Sequence, residues 1–322
     1  MQSGARIYVA GHTGLAGSAI VRALERAGHS RLLVRRHAEL ELTDQAAVRE
    51  FFGRERSQYV FVAAAKVGGI LANSRYPADF IEDNLGVELN VIRESWRAGV
   101  KRLLFLGSSC IYPRDCPQPM KEEQLLTGPL EPTNRPYAIA KIAGIELCWS
   151  YNRQHGMRFL AAIPTNLYGP GDNYDLDKSH VLPALLRKVH EAKQRGERQV
   201  TIWGSGRPRR EFLYSDDMAE ACVHLMRLPE AQFDRLVAPA QAPLINIGAG
   251  KDIAIAELAA LVAEVVGYRG EFAYDASKPD GMPRKLLDIS RIAALGWKPA
   301  IGLREGIALA YQDFQRRHAA AA

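Results

Sequence analysis

A chain of 322 residues, 47% apolar and 24% charged, is long for one compact core and short for three. One large α/β unit or two lobes sharing a cleft is therefore expected, and extensive disorder is excluded. Lys and Arg number 42 against 36 Asp and Glu, a formal charge of +6 that suits anionic ligands, but the basic residues are scattered without interleaved aromatics, which argues against nucleic acid.

The cysteines at 110, 116, 148 and 222 form no CxxC pair, so neither a metal site nor a disulfide framework is expected. With no signal peptide and no apolar run of membrane length, a reducing cytoplasm fits.

In chain order, "ARIYVAG" reads as a short strand and "LAGSAIVRALERAGH" as a helix stopped by Gly28. "RLLVRR" is a second strand, "QAAVREFFGRE" a helix, and "YVFVAAAKVGG" a third strand whose unbroken apolar character marks burial on both faces of a parallel sheet. A long helix around "DFIEDNLGVELNVIRESWRAG", the strand "RLLFLGSS", a Pro-rich loop, the helix "AIAKIAGIELCWSYNRQHG" and the strand "RFLAAIPTNLYG" continue the alternation. Repeated βα units predict a Rossmann-type, doubly wound parallel sheet.

After about residue 165 the rhythm loosens, helices outnumber strands, and a smaller C-terminal lobe over the sheet's open edge is expected. Residues 1–165 are assigned to the dinucleotide-binding domain and 166–322 mainly to the second lobe, with some later segments returning to the first. The closing "RRHAAAA" reads as a frayed helix end.

The first turn, "GHTGLAG", spaces Gly11, Gly14 and Gly17 directly between strand and helix. Without side chains the backbone can turn sharply and approach a pyrophosphate at the helix N-terminus. Glycines there also serve plain helix–strand packing; the position at the first βα turn favours the nucleotide reading. Where an NAD site places a carboxylate, the second strand ends in Arg35, Arg36 and His37, which suit a 2′-phosphate, so NADP is expected.

Tyr137 and Lys141, four apart, share a helix face. A lysine ammonium is expected to lower the tyrosine pKa from about 10, although YxxxK alone also fits packing plus a surface lysine. Taking "RLLFLGSS" as strand, residues 108 and 110 point the same way, so Cys110 faces whatever Ser108 faces. A thiol, ordinarily near 8.5, is a plausible base for hydrogens beside a carbonyl. His180, just before a helix, is the candidate for returning a proton. A small buried hydrophobe and a helix cap are the alternative readings of Cys110 and His180.

The glycine turn, the Ser-Ser after a buried strand and YxxxK on the next helix resemble the extended, nucleotide-sugar-modifying branch of the short-chain dehydrogenase/reductase superfamily. The segments "FLGSSCIYP", "LEPTNRPYAIAKIAGIELC", "PTNLYGPGDN", "SHVLPALLRK", "WGSGRPRREFLYSDDMA" and "PRKLLDISR" extend the resemblance from residue 6 to beyond 290, to members that epimerise and reduce GDP-4-keto sugars. It implies epimerisation of GDP-4-keto-6-deoxy-D-mannose at C3 and C5, then reduction at C4 by NADPH.

By position, Ser108, Tyr137 and Lys141 would be the reductase set, Cys110 the base and His180 the acid. NADP would contact Gly11, His12, Thr13, Gly14, Leu15, Ala16, Gly17, Arg35, Arg36, His37, Leu106, Gly107, Ser109, Lys141, Pro164, Asn166, Leu167 and His180. Asn166, Lys188, Trp203, Arg210 and Asp280 would hold the GDP-sugar, with Trp203 equally readable as core. Some members carry arginine where Thr13 and His37 stand, which leaves the phosphate to Arg35 and Arg36.

A homodimer through the helices at 77–99 and 137–156 is implied as well. A sister enzyme such as a GDP-colitose synthase, a plain 4-reductase and a non-catalytic NADP-sensing protein are the alternatives.

Overall fold

The computed structural model describes residues 1–2, 4–176, 179–278 and 280–319. The first half alternates β1 (Ile7–Ala10), α1 (Leu15–Arg26), β2 (Leu32–Leu33), α2 (Gln45–Glu55), β3 (Tyr59–Val62), α3 (Ile70–Arg75), α4 (Pro77–Arg97), β4 (Arg102–Leu106), α5 (Arg135–His155) and β5 (Phe159–Pro164). The second half holds β6 (Asn166–Tyr168), α6 (Val181–Arg195), β7 (Gln199–Trp203), β8 (Arg209–Tyr214), α7 (Ser215–Arg227), α8 (Glu230–Leu236), β9 (Leu244–Ile247), β10 (Asp252–Ala254), α9 (Ile255–Val266), β11 (Glu271–Asp275), β12 (Arg284–Lys285), α10 (Ser290–Ala294) and α11 (Leu303–Ala319).

Six parallel strands form the main sheet in the order β2-β1-β3-β4-β5-β9. Its strands are almost wholly apolar because both faces are covered, Arg102 in β4 and Asn246 in β9 being the charged and amide exceptions. Ile7, Val9, Phe61 and Leu104 point into the core under α1 and α7, while Tyr8, Ala10, Val60 and Phe105 point into the core under α2, α4 and α5. The chain leaves β1 for β2 on one side and returns to β3 on the other, so the topological switch point opens at the carboxyl end of β1.

The glycine turn sits there. Gly11 has φ +82°, and a Cβ on Gly17 would lie 2.1 Å from the Gly11 carbonyl oxygen, so α1 can approach β1 this closely only with glycine at 17. Helix-stop expectations also hold: Gly28 follows α1 with φ +82°, and Gly156 ends α5 in the left-handed conformation.

Several local expectations need correction. The second strand, expected over 31–36, is only Leu32–Leu33, and after residue 165 the strands β6 to β12 outnumber the helices α6 to α11 among the described residues rather than the reverse. The third strand, expected over 59–69, ends at Val62, and the chain then passes as coil to α3. "RLLFLGSS" leaves the sheet at Leu106, and residues 109–111 form a 3-10 turn capped by Ser108. "RFLAAIPTNLYG" is two strands: β5 ends at Pro164, and β6 begins at Asn166 and pairs with β8 in another sheet.

That second sheet places β6, β10 and β12 against β8, and β7 pairs with β11. A third core packs these strands against α6, α9 and α11. α7 returns to cover α1, and β9 closes the main sheet. No helix among the described residues is long and apolar enough to cross a membrane. The "RRHAAAA" end runs partly outside the described residues; α11 reaches Ala319.

Candidate active site

At the nucleotide end, Gly14 caps α1 without a side chain, which leaves the first-turn N–H groups of Leu15, Ala16 and Gly17 free of any side-chain cap. Added bulk at Gly14 would find only the Gly11 oxygen, at 3.5 Å. Such an uncapped, unobstructed helix N-terminus is a cradle for a pyrophosphate. His12 adds a buried Nδ1 with no hydrogen-bond partner among the described residues.

The three residues after β2 separate in role. Arg35 is held by Glu55 at 2.8 Å and lies over Phe51, and the exposed His37 pairs with Glu41 at 3.0 Å. Arg36 is exposed, its guanidinium in no ion pair among the described residues, so of the three it is the cation available to a phosphate.

At the carboxyl ends of β4 and β5 lie Leu106, Gly107 and Pro164. A Cβ on Gly107 would meet Ile163 Cδ1 at 2.5 Å, so the chain turns close against β5 before Ser108. Ser109 is buried in the turn, and Leu167 follows Asn166 on β6, where Asn166 Nδ2 donates to the Glu211 carbonyl at 2.7 Å.

Ser108 and Cys110 do meet, for a reason other than strand alternation. The Ser108 hydroxyl caps the 3-10 turn by accepting from Cys110 N at 3.3 Å, and it lies near enough to the Cys110 thiol and the Tyr137 phenol to exert a lowering effect on the pKa of each. Asn134 Nδ2 and Lys285 Nζ donate to Cys110 Sγ at 3.1 and 3.3 Å. Burial pushes this thiol up, but the Lys285 charge and the hydrogen bonds from Ser108, Lys285 and Asn134 outweigh it, and its pKa falls below the ordinary thiol value.

The other cysteines are shifted upward, chiefly by burial. Replacing Lys285 with Gln is expected to slow iodoacetamide alkylation of Cys110 at pH 7 by about tenfold or more, since a unit charge this close is worth several kcal/mol at intermediate dielectric. Peptide mass spectrometry reads each cysteine separately; an unchanged Cys110 rate would remove Lys285 from this role.

His180 caps α6. The residue is exposed by surface area, yet protein crowds its imidazole; that desolvation, then the Lys285 charge, lower its pKa. Cys110 and His180 are thus both coupled to Lys285.

Tyr137 lies in the first turn of α5 with the Lys141 Nζ 5.8 Å from its ring. The expected lowering of its pKa is not found. Burial, then the charges of Cys110 and Glu88, push the phenol well above its ordinary value, and Lys141 is engaged instead with Glu88 at 3.1 Å.

In the second lobe, Trp203 is 49% exposed and therefore not core. Lys188 and Lys278 place their Nζ atoms 5.3 and 5.5 Å from its ring centre. Arg210 donates to the Arg209 carbonyl, and burial holds its pKa down despite Asp280, Cys110 and Glu131. Neither Lys188 nor Arg210 has a carboxylate within ion-pair distance among the described residues, and both are lowered by desolvation. Desolvated cations without counter-charges suit an anionic ligand. Asp280 accepts from Ser205 N and Oγ at 2.6 and 2.7 Å, which locks the loop beneath Trp203.

Sequence reasoning missed Asn134, Lys278, Lys285 and Glu88. Three of these stand in polar loops or on a short edge strand with nothing local to mark them. Glu88 had a signal: a carboxylate among Val87, Val91 and Ile92 on the buried face of a helix.

A glycine cradle at the switch point of a parallel sheet, with a Ser-Tyr-Lys set beside it, defines the dinucleotide-dependent Rossmann enzymes. The chain belongs to the NAD dependent epimerase/dehydratase family, whose model matches residues 7–238. It is 54% identical over 307 residues to GDP-L-fucose synthase 1 of Arabidopsis thaliana, covering 95% of this chain and 92% of that protein. It is also 54% identical over 309 residues to GDP-L-fucose synthase of Escherichia coli (strain K12), covering 96% of each. A solved GDP-mannoheptose C4 reductase from Campylobacter jejuni with NADP bound superposes with a TM-score of 0.90 at 40% identity, over 98% of this chain and 99% of that one.

Proposed function

We propose that the chain converts GDP-4-keto-6-deoxy-D-mannose to GDP-L-fucose, by epimerisation at C3 and C5 and NADPH-dependent reduction at C4. The observation that carries this reading is the Cys110 thiol, which accepts from Lys285 and Asn134 and is lowered by Lys285, beside the Ser108 hydroxyl that also acts on Tyr137. A reductase needs no base beside its carbonyl; an epimerase does, and a thiol lowered in this way can serve as one. Identity of 54% to the synthases, against 40% to the C4 reductase, points the same way.

In this reading Ser108 and Tyr137 hold the ketone oxygen, which acidifies the hydrogens on the neighbouring carbons. Cys110 removes such a proton and His180 returns one from the opposite side. Tyr137 then gives its phenolic proton to the C4 oxygen; its raised pKa keeps that proton in place at neutral pH. NADPH, when bound, supplies the hydride. The uncapped first turn of α1 and Arg36 would hold its phosphates, and Lys141 its ribose. Lys188 and Arg210 would take the GDP diphosphate, and Trp203 would stack on the base or ribose.

The proposal assigns NADP to residues 1–165, joined by returning elements such as β9, and the GDP-sugar mainly to 166–322. It includes a homodimer through α4 and α5, a reading supported by exposed apolar Leu89 and Ile139 on those helices.

The test supplies the ketosugar and NADPH in deuterated water. Deuterium at both C3 and C5 with NADPH consumed is the expected result, whereas deuterium at C5 alone, or at neither, would make the protein a sister enzyme or a simple reductase. Arg36→Ala is expected to raise KM for NADPH about tenfold and leave that for NADH unchanged, because one charge-assisted hydrogen bond is worth about 1.5–3 kcal/mol. Steady-state kinetics with both cofactors measures the ratio, and equal effects on the two would return the 2′-phosphate to another residue.

A further inference from the structure

Inside the layer between α4 and α5, Lys141 and Glu88 form an ion pair whose side chains are 2% and 0% exposed. Nζ approaches Oε1 at 3.1 Å, off the line of a well-formed hydrogen bond, and Oε2 has no donor among the described residues. A buried carboxylate is normally saturated with hydrogen bonds. This one is held by charge, against Gly144, where a Cβ would lie 2.8 Å from Oε2 and 2.4 Å from Phe105 Cζ. The same Nζ stands 4.6 Å from the Phe105 ring centre and 5.8 Å from that of Tyr137.

We propose that Glu88 is a positioning residue for the reduction: its carboxylate fixes the Lys141 ammonium beneath Tyr137, and its charge restrains the proton that Tyr137 must release. This rests on the reductase reading of Ser108, Tyr137 and Lys141.

The electrostatics have a definite sign. Burial raises the Glu88 carboxyl to about 7 although Lys141 opposes the shift, and an ionised Glu88 is one of the charges that raise Tyr137. Below that pH Glu88 is neutral, the Lys141 charge is uncompensated, and the phenol is a stronger acid. Above it the pair is neutral overall and the phenol holds its proton more tightly. Donation to the C4 oxygen is therefore faster on the acid side.

The titratable groups facing Glu88 are Lys141, Tyr137 and Cys148 of α5. β4 contributes the apolar Phe105, β3 directs Tyr59 at Arg102, and α2 directs Arg49 at Glu94. One turn away on α4 itself stand Asn84, Leu85, Val91 and Ile92, none charged. No other carboxylate among the described residues faces the pair, so one titration dominates.

Single-turnover NADPH oxidation at saturating ketosugar, from pH 6 to 8, tests this, with deuterium exchange into the sugar measured in the same samples. Wild-type oxidation is expected to slow about threefold to tenfold across that range. Glu88→Gln, isosteric and uncharged, should flatten the oxidation profile and leave the exchange profile in place. Glu88→Asp should keep the pH step and thereby stand as the conservative rescue, readable even if the Gln variant fails to fold. If both variants merely scale the wild-type profile by a constant factor, Glu88 is structural only and the proposal is wrong; an Asp variant without the step would overturn it equally. A wild type that neither oxidises NADPH nor exchanges deuterium would instead sink the underlying reductase reading.

Discussion

Cys110→Ser is expected to lose solvent-deuterium incorporation at C3 and C5 by about two to four orders of magnitude, the usual contribution of a positioned general base, while NADPH oxidation persists. Serine offers Asn134 and Lys285 an oxygen in place of sulfur, so neither donor is orphaned and the turn at 109–111 need not rearrange. What disappears is ionisation. The thiol is brought below its ordinary value by Lys285, Ser108 and Asn134, whereas a hydroxyl in the same cage stays protonated at neutral pH. Ser108, Tyr137 and Lys141 are untouched, so the ketone can still be reduced, giving a C4-reduced sugar without ring deuterium. NMR of the product and NADPH absorbance separate the two functions in one sample. Wild-type exchange in this variant would mean that another group is the base.

Glycine requirements were legible because they are local. Gly17 is forced by its close approach to the Gly11 carbonyl within the seven residues of "GHTGLAG", and Gly11 by its own φ of +82°; the approach of Ala63 and Ala64 to Gly11 was not visible there. Tyr137 and Lys141 were legible because four residues on a helix bring two side chains to one face. Cys110 was placed beside Ser108 by the wrong reasoning. A strand was assumed through residue 110, while the chain turns at Gly107 into a 3-10 turn whose cap happens to bring the thiol back to the hydroxyl.

Lys285 was out of reach for a different reason. It lies 175 residues from Cys110, and only the register of β12 on β8, which sets Lys285 beside Arg210, carries it to the thiol. Periodicity says nothing about register between strands so far apart. The split of "RFLAAIPTNLYG" into β5 and β6 was marked only by Pro164, Thr165 and Asn166, which do not say that the chain changes sheet rather than continuing the same strand. Glu88 overturned the expectation for Tyr137: YxxxK places the cation, but the carboxylate that neutralises it comes from α4, 53 positions earlier in the chain.

Tyr137→Phe should produce the complementary loss: reduction at C4 falls by about two to four orders of magnitude, with deuterium still entering at C3 and C5. The ring meets Phe80 edge-to-face at 6.3 Å, and Phe keeps that contact, so stability should change little. Removal of the hydroxyl deletes a phenol whose proton is held, by burial and by the charges of Cys110 and Glu88, through the neutral range. Ser108, an aliphatic alcohol and a weaker acid than a phenol, is a poor substitute as the proton donor, though it can still polarise the ketone for Cys110. The sign of the pH dependence follows: with its pKa raised in the folded protein, Tyr137 stays protonated up to pH 9, so wild-type reduction should show no alkaline loss from this phenol below that pH. Stopped-flow NADPH oxidation across pH 6–9, with exchange followed in parallel, measures both. Reduction within a few-fold of wild type in the Phe variant would assign the proton to another donor, and an exchange rate that fell in step with reduction would show that the epimerisation, too, depends on the Tyr137 hydroxyl.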